Sequence, residues 1–123
     1  MKSLVFRAYL QLLRFELLLH LRDFASVYRT VRLCPVKARP VPADVQEVCQ
    51  AVDIAAIWYP KEVLCLHRAA ATTCLLRNSG TRAHLVIGVQ PVPFRAHAWV
   101  EVSGHVVNDK AYIPDVFTVL DRC

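Results

Sequence analysis

His84-Leu-Val-Ile-Gly-Val-Gln-Pro-Val-Pro-Phe-Arg-Ala-His-Ala-Trp-Val-Glu-Val-Ser-Gly-His-Val-Val-Asn-Asp109 is the stretch on which the fold turns. Leu85, Ile87 and Val89 alternate with His84, Val86 and Gly88, the period of two expected of a strand. Pro91-Val92-Pro93 reads as a loop, and residues 96–102 and 105–108 around Ser103-Gly104 read as a hairpin. Residues 116–120 are a further strand candidate. Upstream of Gly80 the period is helical instead. Leu4, Ala8, Leu12, Phe15, Leu18 or Leu19, Phe24, Val27 and Tyr28 predict one long amphipathic helix over residues 3–32, or two broken near Asp23.

Pro35, Pro40 and Pro42 mark an extended connector, because proline lacks the amide donor that a helix or central strand needs. A second helix is expected from residues 42–44 to about Trp58, burying Val45, Val48, Cys49, Val52, Ala55 and Ala56, with Pro60 ending it. A third should run over residues 64–78, where Ala69, Ala70, Ala71, Leu75 and Leu76 favour helix and Asn78-Ser79-Gly80 stops it. Helices first and an antiparallel sheet afterwards define an α+β domain. We expect one domain over residues 1–123, with a basic helical segment at 1–40 and a core at 60–110.

At 123 residues, 55% apolar and with three glycines, the chain has the composition of one packed core. Residues 1–40 carry eight Lys/Arg against Glu16 and Asp23, a net +6, whereas the remainder sums to −1. The arginines at 7, 14, 22 and 29 recur near a heptad and should line one solvated stripe, suited to docking on the acidic or apolar surface of a partner protein. They are not clustered with aromatics as a nucleic-acid surface requires, so no nucleic acid is expected. Arg7, Gln11, Arg14 and Glu16 interrupt the N-terminal apolar residues, which argues against a membrane span and a signal peptide and for a cytoplasmic chain. Cys34, Cys49, Cys65, Cys74 and Cys123 match no paired metal spacing, so no metal is expected and most thiols should be free.

One of those cysteines has a distinctive place. Cys65 falls where the third helix begins, and the unpaired N–H groups of a helix N-terminus suit a thiolate. A small buried core thiol is the plain alternative, and the hairpin downstream weighs against it. A three-residue loop Val102-Ser103-Gly104, with glycine in the left-handed position, pairs Glu101 with His105, Trp99 with Val107 and His97 with Asp109. A two-residue Ser103-Gly104 turn instead sets Ala98 opposite Asp109 and puts His97 and Asp109 on opposite faces. The glycine in third place favours the first register. Cys65, His97 and Asp109 then form the set used in thiol acyl transfer: nucleophile, base and the acid that orients the base. Trp99, two residues along the same face, would shield the pair or serve as an ordinary core aromatic.

The segments Cys65-Leu66-His67-Arg68-Ala69, Leu85-Val86-Ile87-Gly88-Val89, Arg95-Ala96-His97-Ala98-Trp99-Val100-Glu101 and Val107-Asn108-Asp109 resemble the stand-alone leader peptidases of lasso-peptide biosynthesis. Those peptidases belong to the transglutaminase-like, papain-type cysteine protease superfamily. The resemblance covers residues 60–110 and implies that Cys65 is nucleophile, His97 base and Asp109 orienting acid. The implied reaction cleaves the bond joining leader to core in a ribosomally made precursor peptide, with no cofactor. Fused relatives carry a leader-recognition domain for which this chain has no room. The implied partners are therefore the precursor peptide, a separate small leader-recognition protein and an asparagine-synthetase-like, ATP-dependent macrolactam cyclase. The glutamine that papain-like enzymes place upstream of the nucleophile is absent, and residues 54–64 offer only Trp58 and Tyr59 in its stead. His67 is expected to be structural or on the surface. Sequence alone leaves two alternatives open, a transglutaminase-like acyltransferase and a non-catalytic peptide-binding module in a maturation complex, because hydrolysis and aminolysis share one thioester.

Overall fold

Two helix boundaries are set by aspartates. Asp23 accepts a hydrogen bond from the Ser26 amide at 2.9 Å and so separates α1 (Lys2–Leu21) from α2 (Phe24–Arg32). Asp44 does the same for Gln46 at 2.9 Å and starts α3 (Val45–Trp58), which Tyr59-Pro60 ends in extended backbone. The protein, described over residues 2–123 by a computed structural model, continues with α4 (Cys65–Asn78), β1 (Ala83–Pro91), β2 (Phe94–Val102), β3 (His105–Val106), α5 (Ile113–Val116) and β4 (Thr118–Arg122). The break near Asp23 and the helices over residues 42–58 and 64–78 fall where the sequence puts them.

α4 is the central helix. Ala69 to Arg77 are buried without interruption, because α1, α2 and α3 cover it on one side and β1 and β2 on the other. Its three consecutive alanines let these neighbours approach closely. Ala8, Leu12 and Phe15 of α1, Val27 and Val31 of α2, Val48 and Val52 of α3, and Leu85 and Val100 of the sheet complete this core. The sheet is antiparallel in the order β3-β2-β1-β4, which establishes the α+β architecture. Its outer face holds a smaller cluster of Val86, Trp99, Ile113 and Phe117. Gly88 makes that cluster possible: a Cβ there would lie 2.6 Å from Trp99 Cη2 and 3.0 Å from Phe117 Cβ.

Arg77 is the unusual member of the core. Only 6% exposed, it donates from Nε to the Ala83 carbonyl, from Nη1 to Val31 and Cys34, and from Nη2 to Cys123. One guanidinium thereby ties the C-terminal end of α2 and Cys123 to the turn between α4 and β1.

Several strand readings are corrected. β2 starts at Phe94 and β1 runs to Pro91, so the loop between them narrows to Val92-Pro93. The last strand begins at Thr118, since residues up to Val116 form α5, and it pairs with β1 at the edge of the sheet. The β2–β3 register is the two-residue alternative. Val102 pairs with His105 and Glu101 with Val106, and both turn residues have positive φ, 53° at Ser103 and 78° at Gly104. Such a turn matches the twist of the strands that flank it, so the pairing closes tightly on two residues instead of three.

Candidate active site

Cys65 is the first residue of α4 and is exposed. Leu64 before it makes no side-chain cap, which leaves the amides of the first turn without a side-chain acceptor. Facing this helix end are His97 and Asp109, and a cavity of about 310 Å³ is lined by Cys65, Arg68, His97, Ala98, Asn108 and Asp109, with Glu62 and Val63 at its side. His97 Nε2 lies 2.6 Å from Asp109 Oδ2, and Asp109 Oδ1 accepts the Lys110 amide at 2.8 Å. The imidazole stacks on Phe117 at 5.2 Å and on Trp99 at 6.0 Å between ring centres. Trp99 itself is wholly buried and donates its indole N–H to Glu101 at 2.9 Å. His97 is thus held in orientation by a carboxylate at one nitrogen and by two rings across its face.

The route by which Asp109 reaches His97 differs from the one the hairpin argument supplies. In the two-residue register a continued ladder would place Asp109 opposite Ala98, on the wrong face. The ladder does not continue. Val107 N still donates to the Val100 carbonyl at 3.0 Å, but the Val100 amide donates at 2.9 Å to Asn108 Oδ1 in place of a backbone carbonyl. β3 therefore stops at Val106, and the chain turns at Asn108 so that Asp109 crosses to the side of His97. Asn108 escapes a reading by residue periodicity because its role appears only where the strand ends. The Asn-Asp pair after a short turn is the one local signal.

Other polar residues at the cleft were also invisible to periodicity. A second cavity, of about 610 Å³, adjoins the first and is lined by Gln46, Gln50 and Asp53 of α3 together with residues 107–110. Asn108 and Asp109 form a wall of both. Arg68, one turn beyond Cys65, points its guanidinium toward Asp53 at 3.6 Å. Tyr59 and Trp58 stand elsewhere: the Tyr59 hydroxyl donates to Glu16, and Trp58 is 76% exposed. Neither lines the cavity around Cys65.

His67 is on the opposite side of α4 from that cavity, buried beside Glu16 and the 59–63 loop. Desolvation holds its imidazole below the ordinary value of 6.5. The unfolded chain therefore takes up this proton at a higher pH than the folded chain does, so stability falls as pH drops through the window below about 6.5. Glu16, held below its ordinary 4.5 by its hydrogen bonds to Lys61 and Tyr59, acts in the same direction at lower pH. Urea midpoints measured at falling pH should decline, and His67→Gln should flatten the portion of the slope nearest neutrality.

The five thiols are unequal. Burial pushes Cys49 up to about 11 and raises Cys74 and Cys123 as well, while Cys65 alone is exposed. Among the described residues no three His, Cys, Asp or Glu side chains gather into a metal-ligating group, and no helix is long and apolar enough to cross a membrane.

Residues 9–122 match a family profile described as the transglutaminase-like superfamily. A 56-residue stretch is 43% identical to the microcin J25-processing protein of Escherichia coli, covering 46% of this chain and 27% of that protein. No solved structure matches.

Proposed function

The chain belongs to the transglutaminase-like superfamily, and from that membership we propose that it is a cysteine peptidase that cleaves the leader from a ribosomally made lasso-peptide precursor. The observation that carries the reading is the hydrogen-bonded His97–Asp109 pair in one cavity with the exposed Cys65 at the start of a helix. Similarity to a protein named for processing microcin J25 supports the substrate class, a ribosomal precursor peptide.

An ionised carboxylate only accepts hydrogen bonds, so Nε2 of His97 carries the proton toward Asp109 and Nδ1 is left as the base. Nδ1 takes the proton from the Cys65 thiol, and the thiolate attacks the scissile carbonyl carbon. Negative charge on the carbonyl oxygen is stabilised by the unpaired amides at the start of α4, in place of a side-chain donor, since Trp58 and Tyr59 stand away from the cavity. Collapse of that adduct expels the core peptide's amine, which receives the proton from His97. Water, deprotonated by the same imidazole, then hydrolyses the thioester and restores the thiol. Asp109 stabilises the imidazolium at both stages. The adjoining cavity with Gln46 and Gln50 suits an extended peptide passing over Asn108 and Asp109, gripped by amide hydrogen bonds.

In this reading residues 1–123 act as one catalytic unit. A separate leader-recognition protein presents the precursor, and an ATP-dependent macrolactam cyclase takes the freed core amine.

Asn108 supplies the test most specific to this geometry. Asn108→Ala should lower kcat/KM for leader release by about a hundredfold, as a displacement on the order of 1 Å does. Asn108→Asp keeps an acceptor for the Val100 amide and should recover a large part of the loss. The variants are compared in a cleavage assay with synthetic precursor and recognition protein. Full activity in Asn108→Ala would mean that the break in the ladder is not what positions Asp109.

A further inference from the structure

α1 has two apolar faces. One, carrying Ala8, Leu12 and Phe15, is buried in the core. The other carries Phe6, Leu10, Leu13, Leu17 and Leu21, which are 63%, 47%, 39%, 48% and 72% exposed. Steps of four, three, four and four residues put these side chains on one line along the outer side of the helix, away from the buried set. Phe24, at the start of α2, is also 47% exposed. A contiguous apolar strip of this length in water marks an interaction surface.

Charge narrows the occupant. Arg7 and Arg14 border the strip on one edge, and Lys2 and His20 lie along the other. Glu16, the acidic residue of α1, is turned away and engaged by Lys61 and Tyr59. A second copy of the chain would bring basic edges against basic edges. A bilayer surface would need a broad apolar face, yet the inner half of α1 is already committed to the core and the outer strip is only one seam wide. The four-three alternation is the spacing by which one helix seats against another.

We propose that the outer strip of α1 is the docking surface for an amphipathic helix of a partner protein, with an apolar seam flanked by Asp and Glu. The interaction is independent of the peptidase reading. It sits on the helix that, through Glu16, also holds the loop leading into Cys65.

The test uses the full chain and two labelled synthetic helical peptides with the same leucine seam, one flanked by Glu and the other by Lys, titrated by fluorescence anisotropy. The acidic peptide should bind saturably, with affinity that falls as salt is raised, and the basic peptide should bind at least about tenfold more weakly. The double substitution Leu10→Gln, Leu17→Gln should weaken the acidic peptide by about tenfold or more, and leave the urea midpoint unchanged because both side chains face water. Absence of saturable binding, equal binding of both peptides, or equal binding by the double variant would overturn the proposal. So would preferential capture by phosphatidylglycerol vesicles, or self-association in sedimentation velocity that the double variant abolishes, since these assign the strip to a bilayer or a second copy.

Discussion

Cys65→Ala is expected to reduce leader release by about 10⁴-fold or more, the order of loss that follows removal of a nucleophile from a triad acting as a unit. The same substitution should leave the unfolding free energy within about 0.5 kcal/mol of the parent, because Cys65 is exposed and alanine is at least as good a helix former. That separation between activity and stability distinguishes a nucleophile from a packing thiol. Iodoacetamide provides a second readout. Cys49, Cys74 and Cys123 are burdened by burial, so alkylation should reach Cys65 first and should abolish cleavage in step with that label. Cleavage that persists in Cys65→Ala would remove the cysteine-peptidase reading, and uniform labelling with no cleavage by the parent would favour a peptide-binding module. A product carrying an added amine in place of the free acid would instead favour acyl transfer.

Arg77→Ala should have the largest effect on stability. The side chain donates to four backbone carbonyls, at Val31 and Cys34 around the end of α2, at Ala83 opening β1 and at Cys123, and so joins three segments at one point. Its removal takes charge-assisted hydrogen bonds from buried carbonyls, and it leaves a hole between α2, α4 and the sheet. A loss of about 3–5 kcal/mol is expected, a large part of the roughly 5–15 kcal/mol that holds a domain together. Arg77→Lys should recover only a minor part, since one ammonium cannot reproduce a planar fork that serves carbonyls on different sides. Urea denaturation followed by tryptophan fluorescence measures this directly, because Trp99 is wholly buried and dominates the change on unfolding. Near-parental stability of Arg77→Ala would show that water satisfies those carbonyls equally well.

Arg77 also illustrates what a single sequence conceals. Nothing in Leu75-Leu76-Arg77-Asn78 separates a buried arginine from one facing water at a helix end. Its acceptors lie 46 positions before it and 46 after it, at Val31 and Cys123. The cleft residues Gln46, Gln50 and Arg68 were hidden for the same reason, since the cavity belongs to three elements at once. The buried face of α1, with Ala8, Leu12 and Phe15, was legible in the helical period, but that a second line of leucines and phenylalanine would stay uncovered on the outer side depended on where α3 and α4 packed.

The hairpin shows the boundary most sharply. Residue types placed a base on one strand and an acid just beyond the turn, and the two do meet at 2.6 Å. The inferred register was nonetheless wrong. Positive φ at both Ser103 and Gly104 selected the shorter turn, and the side chain of Asn108 then replaced a backbone acceptor and released Asp109 from the ladder.

What the sequence determined by itself was whatever is settled within a few residues: aspartate caps, prolines that deny a donor, and apolar periods of 3.6 and 2. Those signals suffice for the helix boundaries, the α+β class and the candidate nucleophile at a helix start. Tertiary structure alone decided where the β2–β3 ladder breaks, which carbonyls hold Arg77 and that the outer apolar strip of α1 stays uncovered. Each depends on hydrogen-bond partners or packing surfaces that come together only when distant segments meet.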